Sequence, residues 1–334
     1  MTQPPQPVTV YRSPNPRRYQ AVWVSIAVLA LFPGSALAIL RLLGPTDDTS
    51  ALFASFIPYG IVFDLIALIF STIALVRGRN RPALGALVGL SALLLIMQVI
   101  WIGPQFVADD RPAGTAPITV FSLNLQNGHA DLDQLEQEVA DADVISLVEV
   151  TPKAYRQISR RLAAKFEHRT PPVRGGNNES MVLSRYPLSD VQRLESLLPQ
   201  LSVTVELPEI GPTNLIAAHP CNPYCGDGLW ATEHRQLLQH AESLPDRPTI
   251  IVGDFNAILD QRPMRALEAA GFTSATDIVG AGWQPTYPSN TRLPPMLEID
   301  HVMLDDRLTA TAIETVEVAR TDHLGLRVEI AGVR

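Results

Sequence analysis

Three long apolar runs crowd the first 105 residues of the chain, at about Val22–Leu43, Phe53–Val76 and Leu84–Ile102. Each approaches the ~20 residues that a membrane-crossing helix needs. Beyond them the pattern changes to short apolar runs alternating with segments of helical spacing. Ile118–Leu123 reads as a strand ending at Asn124, and Val144–Val148 as one ending at Glu149. A strand beginning at Met181–Leu183 runs into Ser184-Arg185-Tyr186-Pro187. Leu201–Leu207 and Thr213–Ala218 follow, the second delivering His219. Ile250-Ile251-Val252 is β-branched, reads as buried on both faces, and stops in Gly253-Asp254-Phe255-Asn256-Ala257. Glu298–Leu304, Ile313–Val318 and Gly325–Ile330 complete the strands, while Gly175–Asn178 reads as a turn. Helices are expected at Asp131–Ala142, Pro152–Phe166, Thr232–Ser243 and near Pro263–Ala270. Several neighbouring strands have links too short for the crossovers of an all-parallel sheet. The pattern therefore predicts an α/β (α+β) fold with two mixed sheets and outer helices.

These patterns divide the chain into a basic tail (1–19), three membrane spans (20–105), a linker (106–117) and one soluble domain (118–334). Arg12, Arg17 and Arg18 precede the first span, Asp47 and Asp48 follow it, and Arg77, Arg79 and Arg81 separate the second and third. Arginine stays on the cytoplasmic side. The N-terminus is then inside, and everything after Ile102 lies outside. Ala36-Leu37-Ala38 also fits a signal-peptide cleavage site; removing the first span would leave the soluble domain on the same side. Asp64, inside the second run, is costly in lipid and is expected to be protonated or bonded to a neighbouring helix.

Charge is unevenly placed. Residues 1–117 hold eight arginines and five aspartates, so the remainder carries −11 of the chain's total of −8. Phosphate backbones are usually met by a basic face, and the soluble part is a poor candidate for tight non-specific DNA binding. The two cysteines, Cys221 and Cys225, could pair in an exterior compartment and would fix the loop after His219. Zinc binding is the alternative, but two thiols without a second pair are a weak signal for it.

Polar residues recur where strands stop: Asn124, Glu149, His219, Asp254 with Asn256, Asp300, and Asp322 with His323. Singly, each has an ordinary reading as a turn, a helix cap or a satisfied histidine. Jointly they look like a site. A carboxylate can hold a hard cation or orient a water, and a carboxamide beside it can donate to a phosphoryl oxygen.

The pieces Ser122-Leu123-Asn124, Leu147-Val148-Glu149, Leu183-Ser184-Arg185-Tyr186-Pro187, Ala218-His219, Gly253-Asp254-Phe255-Asn256-Ala257, Ile299-Asp300-His301 and Thr321-Asp322-His323-Leu324 resemble, in order and spacing, the endonuclease/exonuclease/phosphatase superfamily with its DNase I-like fold. One departure is at Asn124-Leu125-Gln126, where many members have Asn-x-Asn. Three spans followed by an exterior domain also resemble the VanJ-type membrane proteins associated with teicoplanin-class resistance in actinobacteria. The superfamily resemblance implies a four-layer sandwich of two mixed sheets flanked by helices, with phosphate-ester hydrolysis at one rim. It also implies a divalent metal, usually Mg²⁺, with Mn²⁺ the substitute.

On that basis Glu149, Asn124 and Asp322 are the expected metal ligands. His323, oriented by Asp300, and Asp254 would activate the attacking water, with the general base left open between them. Asn256 and His219 would donate to the phosphoryl group. Arg185, Arg235 and Tyr287 are candidate substrate contacts. The expected partners are the lipid bilayer and a phosphorylated substrate, lipid-linked in preference to nucleic acid; no protein partner is inferred. An exterior Mg²⁺-dependent nuclease is the second reading and a catalytically silent binding module the third.

Overall fold

The computed structural model describes residues 16–78, 80–172 and 179–334. The start of the basic tail, Arg79 and the expected turn at Gly175–Asn178 lie outside the described residues. By contact the chain divides into two units, one of residues up to 39 with 59–99, the other of 40–58 with 100–334.

The first unit is helical. Helices α1 (Pro16–Leu43), α3 (Gly60–Arg77) and α4 (Arg81–Ile102) supply it, and three helices of the described chain are long and apolar enough to cross a membrane. Many of their outward side chains are hydrocarbon, Leu29 and Phe32 being 73% and 78% exposed, as would suit a lipid-facing surface. Asp64 instead faces inward and is fully buried against Gly34, where any Cβ would collide with its carboxylate. Serines in α3 and α4 turn their hydroxyls back onto their own helices, Ser71 to Leu68 O and Ser91 to Leu87 O. The second apolar run is not one helix: Phe53 and Ala54 end a short helix, α2 (Asp48–Ala54), and α3 begins only at Gly60. Pro58 stands in the break, where it lacks the N–H that a continuous helix requires.

The second unit is a four-layer sandwich. Strands β1 (Ile118–Asn124), β2 (Val144–Val150), β3 (His168–Arg169), β4 (Glu179–Ser184), β11 (Leu308–Val316) and β12 (Gly325–Gly332) form one sheet, in the order β11-β12-β1-β2-β4-β3. Strands β5 (Leu188–Arg193), β6 (Leu201–Leu207), β7 (Gly211–Ala218), β8 (Thr249–Asp254), β9 (Thr273–Ser274) and β10 (Asp300–Leu304) form the other, in the order β5-β6-β7-β8-β10-β9. Both sheets are mixed: β1–β2 and β7–β8 are parallel, and the other pairs are antiparallel.

Alternation along each strand assigns the layers. Val120, Val144 and Val182 point inward to meet Val203, Leu215, Ile250 and Val252 from the other sheet. On the outer face of the first sheet, Phe121, Leu123, Ile145 and Met181 pack on Leu135 of α5 (Leu132–Glu138) and Ile158 of α6 (Pro152–Arg161). On the outer face of the second, Ile216, Ile251 and Met303 pack on Trp230 and Leu237 of α7 (Leu229–Ser243) and Met264 of α8 (Arg262–Ala269). Both strand faces are covered, which is why the central strands read as continuous apolar runs.

The helices end earlier than their periodicity suggested: α5 stops at Glu138 and α6 at Arg161. Strand β5 escaped detection because it is a polar edge strand, exposed along most of its length.

Gly253 marks the closest backbone approach near the site. Its φ is +146°, and a Cβ there would lie 2.1 Å from the carbonyl oxygen of Ala218 on the paired strand. Only glycine allows β7 and β8 to meet at this point. Gly253→Ala should destabilise the chain by about 3 kcal/mol or more. In thermal unfolding that corresponds to a midpoint lowered by roughly 6–12 °C.

Candidate active site

The C-terminal ends of the parallel pairs deliver the polar residues to one rim. Asn124 ends β1, Asp254 ends β8, and His219 follows β7 directly. Asp300 opens β10 and is the cross-strand partner of Asp254. Glu149 sits near the end of β2, where the register with β4 breaks between Leu147 and Val150. Its φ of +56°, uncommon for a residue with a side chain, re-aims the carboxylate into the cleft. Asp322 and His323 lie in the turn before β12.

All of these polar residues except Asp300 line one cavity of about 260 Å³, together with Gln126, Asn127 and Asn256. The Asn124 amide nitrogen donates to Glu149 Oε1 at 3.2 Å and to Asp254 Oδ2 at 3.0 Å. Its amide oxygen accepts the N–H of Gln126 at 2.9 Å, which fixes which way the carboxamide faces. Asn127 N–H donates to Glu149 Oε2 at 2.7 Å, so Glu149 is held at both oxygens. Asp254 Oδ1 accepts the N–H of Asn256 at 2.8 Å. The Asn256 side chain donates to Pro220 O, and its own carbonyl accepts from Trp230 Nε1.

His323 stands among carboxylates. Its Nδ1 lies 2.8 Å from Asp300 Oδ2, which also accepts from Thr286 Oγ1 at 2.6 Å. Its Nε2 is 3.7 Å from Asp254 and 4.0 Å from Asp322. Burial works against a charge on His323, but Asp300 and Asp254 outweigh it and push the imidazole up to about 10. His219 goes the other way. Burial pushes it down to about 4 despite Glu149, and its Nε2 lies 3.8 Å from both Glu149 and Asp254. Burial also raises the carboxyl of Asp254. Asp322 is raised by burial, with Glu149 adding to the shift.

Four carboxylates against two imidazoles leave the cluster short of positive charge, the condition that a hard divalent cation relieves. Two donor sets are present. The donor atoms of Asp254, Asp300 and His323 lie within 4.8 Å of one another and could hold an ion. Glu149 and Asp322 are less buried, with side chains 19% and 23% exposed, and open onto the cavity.

Of the expected substrate contacts, Tyr287 lines the cavity, its ring 4.9 Å from that of His323. The two arginines do not. Arg185 donates to Ala140 O at 2.8 Å and lies over the ring of Phe166, away from the cleft. Arg235 is exposed on α7, bonded to Thr232, and lines a separate depression. Each is drawn off by a nearer acceptor, so its place in the sequence misleads. Cys221 and Cys225 are joined by a disulfide in the loop after His219, and Tyr224 within that loop lines the cavity. Leu52 and Ser55 also line it, Leu52 from just before the second apolar run and Ser55 from inside it, where neither had been singled out. The Asp47 N-cap is the one local mark of their helix, and seven residues are too few for periodicity to add to it.

Residues 121–323 match the model of the "Endonuclease/Exonuclease/phosphatase family", and the chain belongs to that family. Its members hydrolyse phosphate esters, typically with a divalent metal. No curated protein matches the sequence. Among solved structures, humanized D. rerio TDP2 carrying 14 mutations superposes with a TM-score of 0.55 at 15% identity, covering 65% of this chain and 99% of that one. A Beutenbergia cavernae endonuclease/exonuclease/phosphatase gives 0.51 at 18%, covering 66% and 72%. The Bacteroides vulgatus endonuclease/exonuclease/phosphatase gives 0.54 at 12%, covering 65% and 100%. At such identities the likeness is one of fold.

Thr321 ties the two ends of the site together. Its hydroxyl donates to Asn124 O at 2.7 Å and accepts from His323 N–H at 3.3 Å. Thr321→Val keeps the shape and leaves the buried Asn124 carbonyl without that donor. Denaturant unfolding of the full chain should show a loss of about 1–3 kcal/mol.

Proposed function

We propose that the protein is a membrane-anchored, divalent-metal-dependent phosphoesterase whose site faces the exterior and whose substrate is a lipid-linked phosphate or a phospholipid head group. The observation that carries this reading is the meeting of Asn124, Glu149, His219, Asp254, Asn256, Asp322 and His323 in one cavity. Exterior placement rests on the arginines flanking the apolar runs. The same layout supports kinship with the VanJ-type proteins.

We assign the cation to Glu149 and Asp322 in preference to the Asp254–Asp300–His323 set. The inner set is buried and its imidazole Nδ1 is already bonded to Asp300, whereas Mg²⁺ keeps several waters and needs room for them. Asn124 then acts differently from the ligand first expected. Its oxygen is engaged by Gln126, and its NH₂ orients Glu149 and Asp254. When bound, the cation supplies charge neutralisation at the phosphoryl oxygens.

The chain's own groups do the rest. Asp254, held by Asn124 and by the Asn256 N–H, is placed to orient the attacking water and take its proton. His323, ringed by three carboxylates and fixed through Nδ1 by Asp300, presents Nε2 as a cationic donor to the phosphoryl group. His219 stays neutral and donates through Nε2. The free hydrogen of the Asn256 amide can join it.

A nuclease is the second reading, supported by a D. rerio TDP2 structure with a single strand DNA product, which has the same fold at a TM-score of 0.53 and 15% identity. The net charge of −11 beyond residue 117 argues against it. In full-length protein reconstituted in lipid nanodiscs, Mg²⁺ should support release of phosphate or head group from lipid substrates, and EDTA should abolish it. Asp254→Ala and His323→Ala should each lower kcat by about 100-fold or more. Glu149→Gln should weaken Mn²⁺ binding in calorimetry by at least about tenfold. Full activity in both catalytic variants, or faster turnover of duplex DNA than of lipid phosphate, contradicts the reading.

A further inference from the structure

The cleft has two chemically different sides. One carries the carboxylates, imidazoles and amides of the strand ends. The other is apolar, with Leu52, Pro223, Tyr224, Leu297 and Ile299 lining the same cavity. Leu52 comes from α2 and Ser55 is its C-cap, so this wall is partly built from the segment joining the first two apolar helices.

That segment is fastened to the sandwich. Ala51 is fully buried in the cluster that holds Trp230, Phe255 and Met264. Ala54 and Ile57 pack with Ile258 and Ile299. Gln261 Nε2 donates to Ala51 O at 2.8 Å, Gly228 N donates to Asp48 Oδ2 at 3.1 Å, and Arg41 pairs with Asp260. A seven-residue helix is not stable alone, so these contacts are what shape it. Leu52 is thereby held at the cleft as a fixed wall.

The surroundings of the wall indicate what it meets. Phe53 and Phe56, beside Leu52 and Ser55 in the chain, are 63% and 41% exposed, and Tyr224 of the same wall is 81% exposed. Ser55 is two residues before Ile57, where the second candidate span begins. At ~3.5 Å per residue, it can lie no further than about 7 Å from that start. With the helices in a bilayer, chain connectivity alone would keep the Ser55 end of the wall within that distance of the start of the span. A wholly polar phosphate ester would leave this side of the cleft without a complement, whereas a hydrocarbon chain would cover it.

We propose that Leu52 and Ser55 are specificity-determining residues, forming the wall that holds the hydrocarbon chain of an amphiphilic phosphate ester while the strand-end groups act on its phosphorus. The inference rests on the phosphoesterase reading and assigns the residues that meet the hydrocarbon part of its substrate. The full-length protein in nanodiscs is assayed with Mg²⁺ on two probe series, p-nitrophenyl alkyl phosphates and alkyl phosphate monoesters, each as methyl and hexyl esters. Partition of the hexyl esters into the disc is common to all variants, so the hexyl-to-methyl ratio of kcat/KM compared between variants reports the wall. That ratio should be about tenfold or more in the unmodified chain, given the worth of each buried methylene. Leu52→Asn, which makes the wall polar, and Ser55→Trp, which fills the space, should each cut it by about fivefold or more. A ratio near one in the unmodified chain, or a ratio unchanged in both variants while Mg²⁺-dependent turnover persists, overturns the inference and leaves the phosphoesterase reading intact. No Mg²⁺-dependent turnover of either series, nor of phosphatidic acid in the same discs, removes the phosphoesterase reading and this inference with it.

Discussion

The site depends on the carboxamide of Asn124, which spans the two sheets. Its NH₂ reaches Glu149 in its own sheet and Asp254 in the other, and its oxygen is pinned by the Gln126 N–H. Two carboxylates that would otherwise repel are thereby held side by side. Sandwich packing sets the distance, because the inward residues of β1 and β8 belong to one shared core. A change in that core would therefore be felt at the rim as well, since packed interiors transmit strain.

Around that bridge the environment sorts chemically similar groups into different states. His219 and His323 are both buried, yet burial alone wins at His219 while the ring of carboxylates wins at His323. One imidazole is thus kept neutral and the other charged. In the proposed mechanism the two then act as one charged and one neutral donor, while Asp254 is the base.

Much of this was legible in the chain. Strands covered on both faces read as unbroken apolar runs, and a polar residue where each run stops marks a sheet rim, so Asn124, Glu149, His219, Asp254 and Asp300 could be named from pattern alone. Long side chains were less legible. Arg185 sits in a matching motif, but Ala140 and Phe166, close to it only in the fold, decide where its guanidinium goes. Helix α2 was harder still. It is too short for periodicity to show, its buried residues are alanines, and its partner Gln261 lies 210 positions from Ala51. Non-local contacts of this kind leave no local trace, and a wall built from them is visible only once the sandwich is assembled.

Anomalous diffraction from crystals of the full chain soaked in Mn²⁺ tests the central claim most directly, namely that these strand ends converge on one cation. A single strong peak at coordination distance from Glu149 and Asp322, with Asn124 turned away from it through its oxygen, is the predicted result. A peak enclosed by Asp254, Asp300 and His323 alone, or no peak in the cleft, would contradict it.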